Sequence, residues 1–329
     1  MWLLSTTRSD EMRTDRGYNC GMNIITASGD RRIPALRLLF ARFPAEEQEG
    51  RVRDALAANE RGTLHFDHLL LAESDGLPVG SALAMLQSDG VALVWPPVVS
   101  CGATNPVVVE DLLMSEICSR IDAASARLGQ CLLAPDDDIE AATLGRHGFE
   151  RATDMFFMAR GIAPEDLTDI DRSNEKIRCE KFTPETTARF VQLIEQTYQG
   201  SLDCAYLNGI RTGDEAIVSH KLSGEFHPDC WSLYTVEGQD AGVAMLNDHP
   251  DQDAVELVYI GVAPHARGQG LGRRMLQDGI RDAVGRGRAV MFLAVDCENR
   301  FANALYGEFQ FAELARRQVM LRHPFGLAR

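Results

Sequence analysis

The residues best suited to chemistry form one glycine-rich turn, Arg267-Gly-Gln-Gly-Leu-Gly272. Glycines at alternate positions let the backbone turn tightly and come close to a ligand. A β-branched stretch, Ala254 to Gly261, precedes the turn, and a segment of helical periodicity, Arg273 to Val284, follows it. The free N–H groups at the start of such a helix, with the helix dipole behind them, favour an anion. The spacing therefore predicts a pyrophosphate site, to which Arg267 adds a positive charge.

Two other phosphate-binding patterns compete for this turn. A P-loop requires Lys-Ser or Lys-Thr after the last glycine, and neither follows here. A dinucleotide-binding fold is harder to dismiss, because Asp296 ends a predicted strand where a ribose-binding acid would lie. The glycines are nevertheless spaced G-x-G-x-G rather than G-x-G-x-x-G, and about 30 residues follow Asp296, too few for the remaining βαβ units. A dinucleotide-binding oxidoreductase is therefore a remote alternative.

The segments after the turn carry further motifs. Ala289 to Asp296 predicts a strand, and Asn299-Arg-Phe-Ala-Asn-Ala-Leu-Tyr306 predicts a helix. Together with Arg-x-x-Gly-x-Gly, the spacing Asn-x-x-Ala-x-x-Leu-Tyr resembles that of the GNAT acetyltransferase superfamily. Phe311 stands at the family's closing Gly-Phe, although Gln310 replaces the glycine.

The core of this resemblance covers residues 254–311, and the order of strands and helices extends it to about 177–323. It implies an acetyl-CoA or other short acyl-CoA cofactor, whose pantetheine arm lies between two splayed strands. The residues that the resemblance assigns to this cofactor are Ile260, Val262, Arg267, Gly268, Gln269, Gly270, Leu271, Gly272, Asn299 and Asn303.

Acyl transfer from a thioester to an amine requires a base for the amine and an acid for the departing thiolate. Tyr306 follows Asn299 by two helical turns on the same face, and the resemblance implies that it is the acid. Its alternative is a packed aromatic side chain. Glu256 is the candidate base, because it is the only carboxylate in an apolar strand and is predicted to share a face with Val258, Ile260 and Val262. An exposed or ion-paired Glu256, with water activating the amine, is the alternative.

The loop Gln199 to Gly209 lies between two predicted helices, in the region that covers the acceptor in GNAT proteins. Asp203 could hold a cationic acceptor. Cys204 could act as a nucleophile, but no histidine is adjacent in sequence, which favours an ordinary thiol.

The amino-acid composition of the chain restricts the classes of molecule that it is expected to bind. The net charge of −15 over 329 residues disfavours nucleic acid and anionic membranes and suits neutral or cationic molecules. Eight cysteines without CxxC pairs or matched histidine spacing indicate reduced thiols rather than a metal site or a disulfide frame. No apolar run approaches membrane-spanning length. We expect a cytoplasmic protein.

The predicted elements occur in the same order twice, which indicates two tandem copies of one fold. We predict a disordered leader over 1–21, a first copy over 22–160, an acidic linker over 161–175 and a second copy over 176–329. Each copy should be an α/β (α+β) GNAT fold, a mixed, mainly antiparallel twisted sheet flanked by helices. Helix 111–128, strand 155–158 and a final strand 317–322 are among the predicted elements.

The first copy has Pro96 to Asn105 in place of the glycine turn, and we interpret it as degenerate for cofactor binding. Tandem GNAT proteins with one active copy, mycothiol synthases among them, share this layout. The sequence thus predicts an N-acyltransferase that acts on a small-molecule or peptide amine. A CoA-binding sensor or scaffold without turnover is the alternative from another functional class.

Overall fold

The computed structural model describes residues 21–166, 176–203 and 212–323, so Cys204 lies outside the described part of the chain. Contacts divide the chain into two units. The N-terminal unit contains the described residues up to 151 and those from 319, and the C-terminal unit contains residues 152–318.

The helices of the described residues are α1 Arg32–Leu39, α2 Ala45–Glu60, α3 Pro106–Ala123, α4 Asp138–Arg146, α5 Thr187–Tyr198, α6 Gly213–Lys221, α7 Leu271–Gly285 and α8 Arg300–Glu308. The strands are β1 Met22–Thr26, β2 His68–Ser74, β3 Leu77–Leu86, β4 Val91–Val99, β5 Leu128–Leu133, β6 Glu150–Gly161, β7 Ile177–Lys181, β8 Trp231–Val236, β9 Gln239–His249, β10 Ala254–Val262, β11 Val290–Asp296 and β12 Ala312–Arg322.

The N-terminal unit has the sheet order β1-β2-β3-β4-β5, antiparallel except for the parallel pair β4–β5. The apolar run of β2 is buried on both faces of this sheet. Leu69 and Leu71 pack with α1 and α2, whereas Leu70 and Ala72 pack with α3. Successive side chains of a strand point to opposite faces, so a continuous apolar run suits a strand covered on both sides.

The C-terminal unit repeats this plan with the order β7-β8-β9-β10-β11, followed by β6. Its parallel pair is β10–β11, and α7 crosses between those two strands. α7 buries one stripe of side chains, formed by Leu271, Met275, Leu276, Ile280 and Ala283. The mixed, mainly antiparallel sheet predicted for each copy is therefore confirmed.

The last strands are distributed differently from the sequence prediction. β6 extends the predicted strand 155–158 and pairs with β11 of the C-terminal unit, from Met155↔Asp296 to Gly161↔Val290. The final strand, β12, contributes residues up to 318 to the C-terminal unit and residues from 319 to the N-terminal unit. Met320 is buried in the core of that N-terminal unit. The C-terminal unit thus spans residues 152–318, whereas the sequence prediction placed the second copy at 176–329.

The helix α3 also begins and ends earlier than the predicted helix 111–128. α3 begins at Pro106, five residues before the predicted start, because proline is favoured in the first helical turn, where its missing N–H is not needed. Ser125, with a φ of +56°, then lies in the turn to β5, which ends the helix before the predicted 128.

Candidate active site

A gap opens between the two parallel strands of the C-terminal unit. β10 and β11 pair only from Ala254↔Val290 to Leu257↔Leu293, although β10 continues to Val262. Beyond that point β10 stays paired with β9, and β11 with β6, on their outer edges. The inner edges of both strands therefore have backbone groups that an extended ligand arm can pair with. This is the splayed arrangement predicted around Ile260 and Val262.

A β-bulge begins the gap. The register of β10 against β9 shifts between Leu257 and Tyr259, so that Val258 is the additional residue. Before the bulge Glu256 lies opposite Asn247, and after it Tyr259 lies opposite Met245. Since residues two apart on β9 share a face, Glu256 and Tyr259 share a face of the sheet.

The bulge corrects one sequence prediction. Glu256 was predicted to share a face with Ile260 and Val262, but the extra residue moves those two side chains to the opposite face. There they pack near Leu271 and Met275 of α7. The Tyr259 face instead meets α5, where the Tyr259 and Thr197 hydroxyls hydrogen-bond at 2.6 Å.

The glycine turn leads from the end of β10 into α7. Gly268 and Gly270 have φ angles of +73° and +79°, in the left-handed region that favours glycine. No atom lies within 4 Å of the position that a Cβ would take at either glycine, so the space above the turn is open. Gln269 stiffens the turn, because its side-chain amide donates to the carbonyl of His265 at 3.0 Å.

Gly270 is the N-cap of α7, and the N–H of Arg274 donates to its carbonyl at 3.1 Å. The N–H groups of the three residues before Arg274, including Leu271 and Gly272, have no acceptor within the helix. They lie beside exposed residues 267–270, at the positive end of a helix of 15 residues. The turn thus has the geometry of an anion site.

Arg267 was predicted to add a fixed positive charge to the turn, and its guanidinium is held in place by hydrogen bonds. Its guanidinium donates to three backbone carbonyls, those of Val262 at 3.1 Å, Gly200 at 3.2 Å and Thr197 at 2.9 Å. It therefore joins the end of β10 to the end of α5 and to the loop that follows α5. The positive charge remains close to the turn, but its hydrogen-bond donors serve the protein backbone.

α8 supplies the predicted polar residues beside the gap. Asn299 is its N-cap, and its side-chain oxygen accepts from the N–H of Ala302 at 3.2 Å. The amide nitrogen of Asn303 donates to the carbonyls of Asp296 and Cys297, both at 3.1 Å, whereas its side-chain oxygen is buried without a partner. Both amides thus fix the connection from β11 to α8.

Tyr306 is buried, with 4% of its surface exposed, and its ring packs against Phe311 at a centroid distance of 5.6 Å. Burial raises the pKa of the Tyr306 phenol, and the nearby charge of Asp203 raises it further. A phenol in this state keeps its proton at neutral pH. Tyr306 is therefore a packed side chain that stays protonated.

Asp203 belongs to the exposed start of the loop after α5, but its carboxylate turns toward the interior. Its Oδ1 accepts from the N–H of Asp296, at the end of β11, at 3.1 Å. Withdrawal from water raises the pKa of the Asp203 carboxyl, while hydrogen bonds from Asp296 and Asn299 act in the opposite direction. The predicted acceptor-binding carboxylate thus also fastens its loop to the sheet.

Glu256 has two partners that sequence reasoning did not single out. The hydroxyl of Ser223 donates to its Oε2, and Nε2 of His249 lies 3.0 Å from the same oxygen. The pairing register of β9 with β10 is the feature that could have identified His249 as a partner of Glu256. His249 ends β9 opposite Ala254, two residues before Glu256, but only the register of the β9–β10 hairpin makes this visible.

The corresponding turn of the N-terminal unit lacks the features of an anion site. Its residues 96–105 contain no glycine with positive φ, and Pro106 removes one N–H at the start of α3. A cavity of about 280 Å³ lies here, and the carboxylates of Glu110 and Glu140 are on its wall. Arg42 also lines the cavity, so its wall has two carboxylates and one guanidinium, a net negative charge that opposes a pyrophosphate.

Comparison with known proteins gives a family match in the C-terminal half of the chain. Residues 195–311 match the model of the acetyltransferase (GNAT) family. This part of the chain is similar to GNAT acetyltransferase domains. Its match covers the gap, the glycine turn and α8, which are the parts from which the resemblance was inferred.

Curated relatives share a name. The chain is 28% identical to a mycothiol acetyltransferase from Nocardioides sp. over 53% of its own length and 63% of the relative's. It is also 28% identical to the mycothiol acetyltransferase of Stackebrandtia nassauensis over 73% of this chain and 77% of that protein. The match to the Nocardioides protein thus covers slightly less than two thirds of that relative.

Solved structures show the same fold. A GCN5-related N-acetyltransferase from Sphaerobacter thermophilus superposes with a TM-score of 0.61 at 17% identity, covering 92% of this chain and 96% of that one. A tandem GNAT protein from the clavulanic acid biosynthesis pathway gives a TM-score of 0.52 at 12% identity, covering 94% and 100%. The predicted tandem GNAT fold is confirmed.

Two further properties concern the described residues. No helix among them has both the length and the apolar character needed to cross a membrane. No three of their histidine, cysteine, aspartate or glutamate side chains are grouped so as to hold a metal ion.

Proposed function

We propose that the C-terminal unit is an N-acyltransferase that moves an acetyl or other short acyl group from acyl-CoA to an amine. The observation that carries this proposal is the gap between β10 and β11, which leads directly to the free N–H groups at the start of α7. An extended arm with a pyrophosphate at one end fits this combination. The GNAT family match over residues 195–311 supports it.

Glu256 and Tyr306 act at different steps of the proposed reaction. Glu256 takes a proton from the amine as its nitrogen attacks the thioester carbon. The C–S bond then breaks, and Tyr306 gives its phenolic proton to the departing thiolate. The cofactor contacts are proposed at Ile260, Val262 and residues 267–272, of which Arg267 acts through the backbone carbonyls that it holds. Asn299 and Asn303 shape the wall formed by the start of α8.

The proposed acceptor is a small-molecule amine. The relatives named mycothiol acetyltransferases support an acceptor of the mycothiol type, and the net charge of −15 favours a cationic molecule over an anionic one. Asp203 lies at the start of the loop proposed to cover this acceptor. A peptide amine is the competing acceptor.

The N-terminal unit is proposed to be degenerate for cofactor binding. α3 begins with Pro106, which lacks an N–H, and Glu110 and Glu140 line the adjoining cavity together with Arg42. This unit retains the fold without the anion site.

The proposal is tested by incubating the purified protein with acetyl-CoA and a panel of amines and measuring released thiol. The panel should contain an amine of the mycothiol type, simple amines, aminoglycosides and peptides with free N-termini. Thiol release that depends on one amine class supports the proposal and names the acceptor. Tight acetyl-CoA binding without release for any amine would support a sensor instead.

The Gly270→Asp variant tests the site itself. It places a carboxylate and a Cβ at the N-cap of α7, where the phosphate should lie, and we expect it to abolish acetyl-CoA binding. Gly287→Asp is the matched control, because Gly287 also has positive φ (+71°) and open space around it. It lies just beyond the other end of α7, about 22 Å away along the helix axis. Equal loss of binding in both variants would contradict the assigned site.

A further inference from the structure

The two partners of Glu256 contact the same carboxylate oxygen. Ser223 Oγ donates to Oε2, and His249 Nε2 lies 3.0 Å from Oε2. Among the described residues, no hydrogen bond reaches Oε1. One oxygen of the proposed base is therefore occupied twice, while the other is open to an incoming proton donor. Side-chain exposures of 23% for Glu256 and 16% for His249 place the pair at the edge of the buried region.

His249 has little freedom to turn away from this contact. Its ring lies against that of Phe292, with centroids 5.1 Å apart. Gly224 approaches from another side so closely that a Cβ there would lie 2.5 Å from Nε2. The side chain is thus held between a strand of the sheet and the segment after α6, with Nε2 directed at Glu256.

Ser223 is fixed by a separate polar network. Asn247, which is fully buried, lies opposite Glu256 in the sheet. Its amide nitrogen donates to the carbonyls of His220 and Ser223, and its oxygen accepts from Trp231 Nε1 at 2.9 Å. A satisfied buried network of this kind holds the end of α6 in one place. The serine hydroxyl is therefore presented to the carboxylate by the fold.

We infer that His249 is a positioning residue for Glu256, and that it donates its Nε2 proton to Oε2. Two donors on one oxygen fix the carboxylate plane and leave Oε1 directed at the substrate amine. When the amine attacks, its N–H bond breaks and a new O–H bond forms on Oε1. The proton then leaves to water, and the histidine keeps its own proton throughout. This inference rests on the proposed function, because it assigns a role in the action of Glu256 as the base.

This role of His249 also requires one ring tautomer. Nε2 can donate only if it carries the proton, which leaves Nδ1 without one in the neutral ring. A nitrogen-15 NMR spectrum of the histidine side chains, assigned with a His249 variant, identifies this tautomer without any substrate. We expect the Nε2–H form in the parent and a displaced Nε2–H signal in Glu256→Gln. An Nδ1–H tautomer in the parent would overturn the inference, whatever the catalytic activity.

Two substitutions separate positioning from general support of the fold. His249→Gln keeps a side-chain N–H at the reach of Nε2, whereas His249→Leu removes it at similar volume. We expect His249→Leu to lower kcat by roughly 10-fold with the KM for acetyl-CoA unchanged, as expected for a misplaced base. His249→Gln should keep kcat within about threefold of the parent, since it still holds the carboxylate.

Both changes are also made in the Glu256→Gln background. If His249 acts through Glu256, His249→Leu costs nothing further there. An equal loss of kcat in both backgrounds would show that His249 acts through the fold and would overturn the inference. A Glu256→Gln variant as active as the parent would instead remove Glu256 from the proposed function. Melting temperatures of all variants identify any loss that comes from unfolding.

Discussion

Tyr306 is a residue whose acid–base chemistry is changed by its surroundings. Burial, and then the charge of Asp203, raise the pKa of its phenol, so the group stays protonated well beyond neutral pH. Replacement by phenylalanine keeps the ring that packs on Phe311 and removes the proton. We expect Tyr306→Phe to lower kcat by about 100-fold with little change in acetyl-CoA affinity, the usual size for general acid catalysis.

Steady-state kinetics with the acceptor found in the amine panel, and calorimetry with acetyl-CoA, provide the two measurements. Turnover equal to that of the parent across the pH range would reduce Tyr306 to a packing residue.

Asp203 should influence the pH dependence of kcat through its charge, which acts on Tyr306. A general acid works only while protonated, so activity falls at alkaline pH as Tyr306 loses its proton. Because the Asp203 charge raises the pKa of Tyr306, removing that charge should move the alkaline fall in kcat to lower pH. Asp203→Asn does so while keeping an oxygen for the N–H of Asp296.

The pH dependence of kcat for this variant is compared with that of Asp229→Asn. Asp229 is exposed and paired with Arg286 at 2.6 Å, and it does not act on Tyr306. Unchanged alkaline behaviour in Asp203→Asn would mean that the two groups are not coupled.

At the scale of single residues, the sequence identified which residue types matter but not where every side chain lies. The positive φ angles of Gly268 and Gly270 and the N-cap role of Asn299 agree with their motifs. The predicted face of the sheet for Glu256 was wrong, because one bulged residue reverses the alternation of side chains along β10. The amino-acid composition gives no sign of this bulge. The partners of Glu256 come from segments distant in sequence and required the fold.

At the scale of elements, the turn before Phe311 shows how a motif survives a substitution. Gln310 has a φ of +63°, and Gly148, which precedes Phe149 at the matching place of the N-terminal unit, has +81°. The glycine missing from the motif is thus replaced by a residue that accepts the same left-handed backbone. For a residue with a Cβ this conformation costs roughly 1–2 kcal/mol.

Gln310→Gly should therefore increase the free energy of unfolding by about 0.5–1 kcal/mol, since relief of the strain exceeds the entropy lost by glycine. Urea denaturation measures this difference. Gln310→Ala keeps the Cβ and serves as the control, for which we expect no such gain. A glycine variant that is less stable than the parent would show that the glutamine side chain contributes more than its backbone strain costs.

Most elements could be predicted because their hydrophobic periodicity agrees with the capping and turn residues at their ends. The strand predicted from Ala289 to Asp296 is observed as β11, Val290–Asp296, and Thr183 caps the start of the segment leading into α5, with a reciprocal bond to Thr186. The splay of β10 from β11 was inferred from the family resemblance. Local pattern alone carries no signal for it, since an inner edge left unpaired looks like any other apolar strand.

At the scale of the molecule, the two units share a plan but only one has the glycine turn. We expect calorimetry to give one acetyl-CoA site per chain and none in Gly270→Asp. The physical reason is that Pro106 lacks an N–H at the start of α3, and that Glu110 and Glu140 outweigh the charge of Arg42 on the wall of the adjoining cavity. Two sites of similar affinity in the parent would show that the N-terminal unit binds the cofactor after all.

The division of β12 between the units has a consequence for how the protein is made. A ribosome releases residues up to 151 first, yet Met320, which is part of the core of that unit, is synthesised about 170 residues later. At roughly 5–20 residues per second, the delay is on the order of 10–30 s. The N-terminal unit therefore waits, with an apolar site exposed, until almost the whole chain has been translated. During that interval the core of the N-terminal unit lacks its contact with Met320, and premature termination would leave the unit without its last strand.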